Sequence, residues 1–181
     1  MHKKIRLLTL SGMFLAIGLV LPFVTGHIPQ IGKMLLPMHI PVLLCGMVCG
    51  WQYGLAVGII TPLLRSLLFA MPALYPNATG MAFELATYGV TVGCMYALFN
   101  GISVFREHYL LRVYSALLIA MIAGRVVCGI ARVVMLGLTQ TPFSWQLFLS
   151  GAFLTAFPGI ILQLVLIPAV MVTLRRAKLI A

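Results

Sequence analysis

The chain has 181 residues, of which 62% are hydrophobic and 8% charged. A soluble domain carries about 25% charged residues to cover its surface, so composition excludes a soluble globular protein, and the hydrophobicity excludes disorder. The formal net charge is +10, yet the basic residues gather at the ends of apolar runs rather than in one stripe, which argues for a lipid bilayer and against nucleic acid as the partner.

A spanning helix takes ~20 apolar residues, so the length permits about six spans. The expected fold is an all-α membrane protein: residues 1–181 as a single compact bundle of six transmembrane helices, with no second domain. The apolar runs are long and do not alternate, which excludes a β-barrel.

In chain order, the first span covers Leu7 to Val24, preceded by Lys3, Lys4 and Arg6. No small-x-small cleavage site follows, so an uncleaved helix is expected rather than a signal peptide. A polar stretch from Thr25 to Pro37 holds His27, Gln30 and Lys33. A shorter second span covers His39 to Gly50, and Gly50-Trp51-Gln52-Tyr53-Gly54 reads as a tight turn. The third span, Leu55 to Ala70, is interrupted by Pro62, and a turn-rich loop at 71–77 follows. The fourth span is Ala78 to Phe99, and the polar segment Asn100 to Arg112 comes next. The fifth span is Val113 to Leu138, then a loop at 139–147, and the sixth is Phe148 to Leu174 with Pro158 and Pro168.

Six spans put both termini on one side, together with the 50–54 turn and the 100–112 segment. That side carries Lys3, Lys4, Arg6, Arg106, Arg112, Arg175, Arg176 and Lys178, and the other carries only Lys33. The Lys/Arg bias therefore predicts cytoplasmic termini.

Four ionisable residues fall within spans: Arg65, Glu84, Arg125 and Arg132. Each costs ~2.5–3.5 kcal/mol at a helix centre and marks a functional site by default. Arg125 and Arg132 share a helix face with Cys128 and Gly129, and Glu84, Tyr88 and Thr91 share another. A polar cavity opening outward is expected. Glu84 either pairs with an arginine to join two helices or receives ligand. One carboxylate cannot neutralise three guanidiniums, so at least one arginine is expected to face a bound anion or water. Arg65 is close enough to its helix end to snorkel.

Other candidates carry two readings each. His39, between Pro37 and Pro41, is an interface histidine or a pocket donor. Tyr75 and Asn77 form a turn or cover the cavity. Gln163 is a pocket residue or a link between helices. Gly12 and Ala16 make a small-xxx-small pair that admits a close helix, within the bundle or from a partner. The four cysteines form no Cys-x-x-Cys motif and no His/Cys cluster, so buried thiols are expected and no metal.

There is no phosphate-binding Gly-x-x-x-x-Gly-Lys-Ser/Thr loop, because Gly32-Lys33 is followed by Met34, and no Asp at all. Paired-carboxylate chemistry is excluded, no nucleophile–base pair is visible, and no cofactor is expected. The chain reads as a binding protein without its own energy source, not an enzyme.

These residues resemble a family. The run Met34-Leu35-Leu36-Pro37-Met38-His39-Ile40-Pro41-Val42-Leu43-Leu44-Cys45-Gly46, the turn Gly50–Gly54 and the pattern Gly124-Arg125-Val126-Val127-Cys128-Gly129 are similar to the substrate-binding S components of energy-coupling factor (ECF) vitamin transporters. Gly12-x-x-x-Ala16 stands where that family carries Ala-x-x-x-Ala, with glycine replacing the first alanine. The resemblance implies a subunit of an ABC-type importer in the bacterial plasma membrane. It implies an outward cavity for a vitamin, a transmembrane coupling protein meeting the first helix, and two cytoplasmic ATPase subunits. Arg125 and Arg132 favour a ligand bearing carboxylate or phosphate; pantothenate, pyridoxal-type compounds and some thiamine precursors fit, with pantothenate slightly ahead. The competing reading is a membrane scaffold subunit without small ligand, in which Glu84 and the arginines pair completely.

Overall fold

The structure, a computed structural model, describes residues 2–25, 35–138 and 156–177. The expectations for His27, Gln30, Lys33, the 139–147 loop, the start of the sixth span at Phe148, and Lys178 lie outside these residues. The helices are α1 (His2–Thr25), α2 (His39–Cys49), α3 (Trp51–Phe69), α4 (Thr79–Asn100), the short α5 (Ser103–Glu107), α6 (Tyr109–Leu138) and α7 (Phe157–Arg176). A π-helical turn at Leu74–Ala78 leads into α4. Among the described residues, five helical stretches are long and apolar enough to cross a bilayer, and α2 is a shorter apolar helix. Helices suit these runs because lipid offers no hydrogen bonds, so each backbone amide must find its partner within the segment.

The exterior is as apolar as the interior. Leu67 is 72% exposed, Ile122 66%, Leu8 65% and Val165 64%. Water would penalise such a surface, and lipid tails do not. The charged and polar residues Glu84, His39, Arg125 and Gln163 are instead buried.

Side-chain contacts fix the helix directions. Gly18 of α1 abuts Thr61 of α3, and the Phe23 and Phe69 rings lie 4.7 Å apart, so α1 and α3 run parallel. α3 and α4 run antiparallel through glycines. A Cβ on Gly54 would stand 2.7 Å from the Gly89 carbonyl oxygen, and one on Gly93 would stand 2.6 Å from the Trp51 nitrogen. α6 runs antiparallel to α4, since Tyr88 packs on Gly124 while Asn100 meets Arg112. The Tyr109 hydroxyl donates to the Met171 carbonyl at 3.0 Å, so α7 opposes α6. The start of α1, the end of α4, the start of α6 and the end of α7 therefore share one end of the bundle. α4 lies at the centre, packed on α2, α3 and α6, while α1 packs on α2 and α3.

Two expected boundaries shift. The tight turn expected over Gly50–Gly54 is a single residue: Gly50 adopts φ 98°, ψ 166°, and α3 starts at Trp51. The fifth span begins at Tyr109 rather than Val113, which brings Arg112 into a helix and buries it. The reason is local, because Arg112 finds polar partners across the helix pair and does not need water.

Candidate functional site

The site is built where α2, α4 and α6 meet. Tyr88 follows Glu84 by one helical turn, and its hydroxyl donates to Glu84 Oε1 at 2.9 Å. Arg125 Nε stands 3.6 Å from the same oxygen, and so does His39 Nε2. Three elements thus converge on one carboxylate oxygen. The His39 and Tyr88 rings lie 5.3 Å apart, and both residues are almost fully buried. Tyr88 reaches this position because Gly124 carries no side chain, and a Cβ there would overlap the ring.

Depth follows from helix rise. His39 lies ten residues above Cys49, or ~15 Å at 1.5 Å per residue. Glu84 lies nine residues above Gly93, which packs on Trp51, or ~14 Å. The two side chains are therefore level along the bundle, as their contact requires.

Arg132 is two turns beyond Arg125 along α6, towards the far end of the bundle. Its side chain runs along Gly80, with Cγ and Nε each 3.7 Å from where a Cβ would stand. Its Nε is buried and has no hydrogen-bond partner among the described residues. Glu84, the carboxylate of the cluster, has its ion-pair contacts with His39 and Arg125 rather than with Arg132. Further out, Tyr75 donates to the Met135 carbonyl at 2.5 Å, and Thr79 Oγ1 lies 3.4 Å from Met135 Sδ. These bonds tie the turn before α4 to the end of α6.

The structure therefore brings together His39, Glu84, Tyr88 and Arg125, with Arg132 on the far side of the cluster. Gln163 on α7 is buried, and its Nε2 has no hydrogen-bond partner among the described residues. Thr91 is half-buried, and Asn77 is exposed on the turn. Arg65 turns elsewhere: its Nη1 donates to the Leu19 carbonyl at 2.7 Å, and its guanidinium lies 4.7 Å from the Phe23 ring. Its charge is held by α1. Gly12 and Ala16 lie on the exposed face of α1, and a Cβ on Gly12 would meet nothing within 4 Å.

Counting Glu84 as −1 and Arg125 and Arg132 as +1 each leaves a surplus of at least +1. Such an arrangement can receive an anion at Arg132 and polar groups at His39 and Glu84. It offers no nucleophile–base pair. Among the described residues no group of three or more His, Cys, Asp or Glu side chains could hold a metal, and the four cysteines are free.

Sequence reasoning missed Gly124 as the seat of Tyr88, and the clamp of Tyr75 on Met135. It also missed a second polar cluster of Tyr96, Asn100, Tyr109, Arg112 and Arg175. The i, i+4 pair Tyr96 and Asn100 facing a lone Arg112 was the available signal.

Comparison with curated proteins and with solved structures gives no match. The family model described as ECF transporter, substrate-specific component, matches residues 6–171. A buried polar site at the centre of an apolar helical bundle is what a transport binding protein requires, and the chain belongs to the family of substrate-specific components of ECF transporters, multi-pass plasma-membrane proteins that bind a substrate for transport and are not enzymes.

Proposed function

We propose that this component captures a small, water-soluble, anionic vitamin or vitamin precursor from outside the cell, with pantothenate as first candidate. The surplus positive charge carries this reading: among the described residues Arg132 Nε is buried without a hydrogen-bond partner, on the side of the Glu84 cluster away from the start of α6. In the bound state the ligand anion meets Arg132, with Arg125 beneath it. Its hydroxyl or amide groups meet Glu84, His39 and Gln163. Asn77 stands at the mouth, and Arg65 serves the bundle through α1. Both termini are cytoplasmic, as the Lys/Arg bias requires. A transmembrane coupling protein docks on the exposed Gly12 and Ala16 face of α1, and two ATPase subunits supply the energy.

The test is a thermal-shift screen of the purified protein against water-soluble vitamins and their precursors. A ligand at 100 times its Kd raises stability by ~2.7 kcal/mol. A large shift from an anionic vitamin, lost in Arg132→Gln, supports the reading. A shift from cationic or neutral vitamins alone overturns the anion assignment.

A further inference from the structure

A second charged cluster lies at the opposite end of the bundle, where α4 ends, α6 begins and α7 ends. Arg112 is 5% exposed, a rare state for a guanidinium. Its Nη1 donates to Asn100 Oδ1 and its Nη2 to the Tyr96 hydroxyl at 2.7 Å. Its Cζ stands 4.3 Å from the Tyr96 ring centre and 5.2 Å from that of Tyr109. Arg175 stands 4.3 Å from the same Tyr109 ring. Two guanidiniums thus share one aromatic ring. Neither meets a carboxylate within ion-pair distance among the described residues, and Arg112 Nε is buried without a hydrogen-bond partner there.

Aromatic faces and neutral oxygens offset part of the cost of gathering two like charges. They do not neutralise them, and an anion would. Arg112 is held rigidly, while Arg175 is exposed and free to reach outward. The neighbouring surface is apolar: Leu98 on α4, and Leu110 and Leu111 on α6, are all exposed. A paired positive charge at a helix-bundle end, bordered by lipid-facing leucines, matches a phosphate that carries acyl chains. The cluster stands on α4, α6 and α7, whereas α1 packs on α2 and α3. It is therefore off the face proposed for the coupling protein.

We propose that Arg175, seated on the Tyr109 ring and backed by the fixed charge of Arg112, binds the phosphate of an anionic phospholipid. The site shares no residue with the vitamin site, so the two proposals fail independently.

The full-length protein in neutral detergent is titrated with short-chain phosphatidylglycerol, short-chain phosphatidylcholine or inorganic phosphate, and its thermal stability is read. Phosphatidylglycerol is expected to raise stability, and the other two are not. Arg112→Gln endangers folding, so exposed Arg175→Gln carries the test. It is expected to weaken the phosphatidylglycerol effect about fivefold, the worth of one basic residue at an anionic surface. Lys4→Gln, at the same end but on α1, is expected to leave it unchanged. Four results overturn the proposal: no shift with phosphatidylglycerol, an equal shift with phosphatidylcholine, a full shift with inorganic phosphate, or equal losses in Lys4→Gln and Arg175→Gln. The third would mark a site for soluble anions, and the fourth a diffuse surface potential.

Discussion

Glu84 takes one hydrogen bond from Tyr88 and faces Arg125 and His39 through the same oxygen. Removing its charge takes away the carboxylate that Arg125 faces in a low-dielectric interior. Glu84→Gln is expected to cost ~3–5 kcal/mol, the usual loss when one partner of a buried ion pair is removed. Scanning calorimetry in detergent would read this as a lower Tm. Arg132 behaves differently because no carboxylate among the described residues depends on it. Arg132→Gln is expected to leave Tm nearly unchanged and to weaken an anionic ligand by ~2–5 kcal/mol, the cost of truncating one partner of a buried charge pair. Isothermal titration of both variants separates the roles. Equal destabilisation by the two would mean that Arg132 serves the bundle rather than the ligand. Seven-residue spacing places Arg125 and Arg132 on one face and does not distinguish them. Their difference lies in which carboxylate each can reach, and that is decided by the neighbouring helix.

At the scale of elements, glycine governs both the turns and the spacing. Gly50 holds φ 98°, ψ 166°, a region almost closed to residues with a side chain. A Cβ there would meet no atom within 4 Å, so the penalty of substitution is backbone strain alone. Gly50→Ala is expected to cost ~1–3 kcal/mol, read as a Tm loss without change in ligand selectivity. The sequence indicated a turn here but not its length. A five-residue aromatic and glycine motif has the composition of a loop, yet Trp51, Gln52 and Tyr53 are helical because Gly54 must reach Gly89. Helix packing thus recruited residues that look like turn formers in isolation. Arg112 is the converse case. It reads as a loop residue among other polar ones, and Asn100 and Tyr96 draw it into α6.

For the whole molecule, the central position of α4 explains why one buried carboxylate organises the site. α4 contacts α2, α3 and α6, so a side chain on it can meet groups from several helices at one depth. Family membership sets aside the reading as a scaffold without substrate. α1 is peripheral, and its exposed face carries Gly12 and Ala16 while Phe14 and Gly18 face inward. Close docking of a partner helix on that face requires small side chains. If the proposed docking holds, Ala16→Leu abolishes co-purification with the coupling protein while leaving substrate binding intact, as measured by pull-down and thermal shift on the same preparation. Loss of both would place Ala16 in the fold rather than at the interface.

Composition and periodicity along one chain were enough for the solvent, the class of fold and the charged residues Glu84 and Arg125 at its centre. The sequence also carried the family, through short motifs around His39, Gly50 and Arg125. Contacts between helices set the pairing. Each residue turns a helix by about 100° and each adds 1.5 Å of rise, so small differences in rotation and register choose a partner. Parallel packing of α1 on α3 gave Arg65 the Leu19 carbonyl. Antiparallel packing of α4 on α6 gave Arg125 the carboxylate and left Arg132 beside Gly80. Those choices depend on distances between helices, which no single helix encodes.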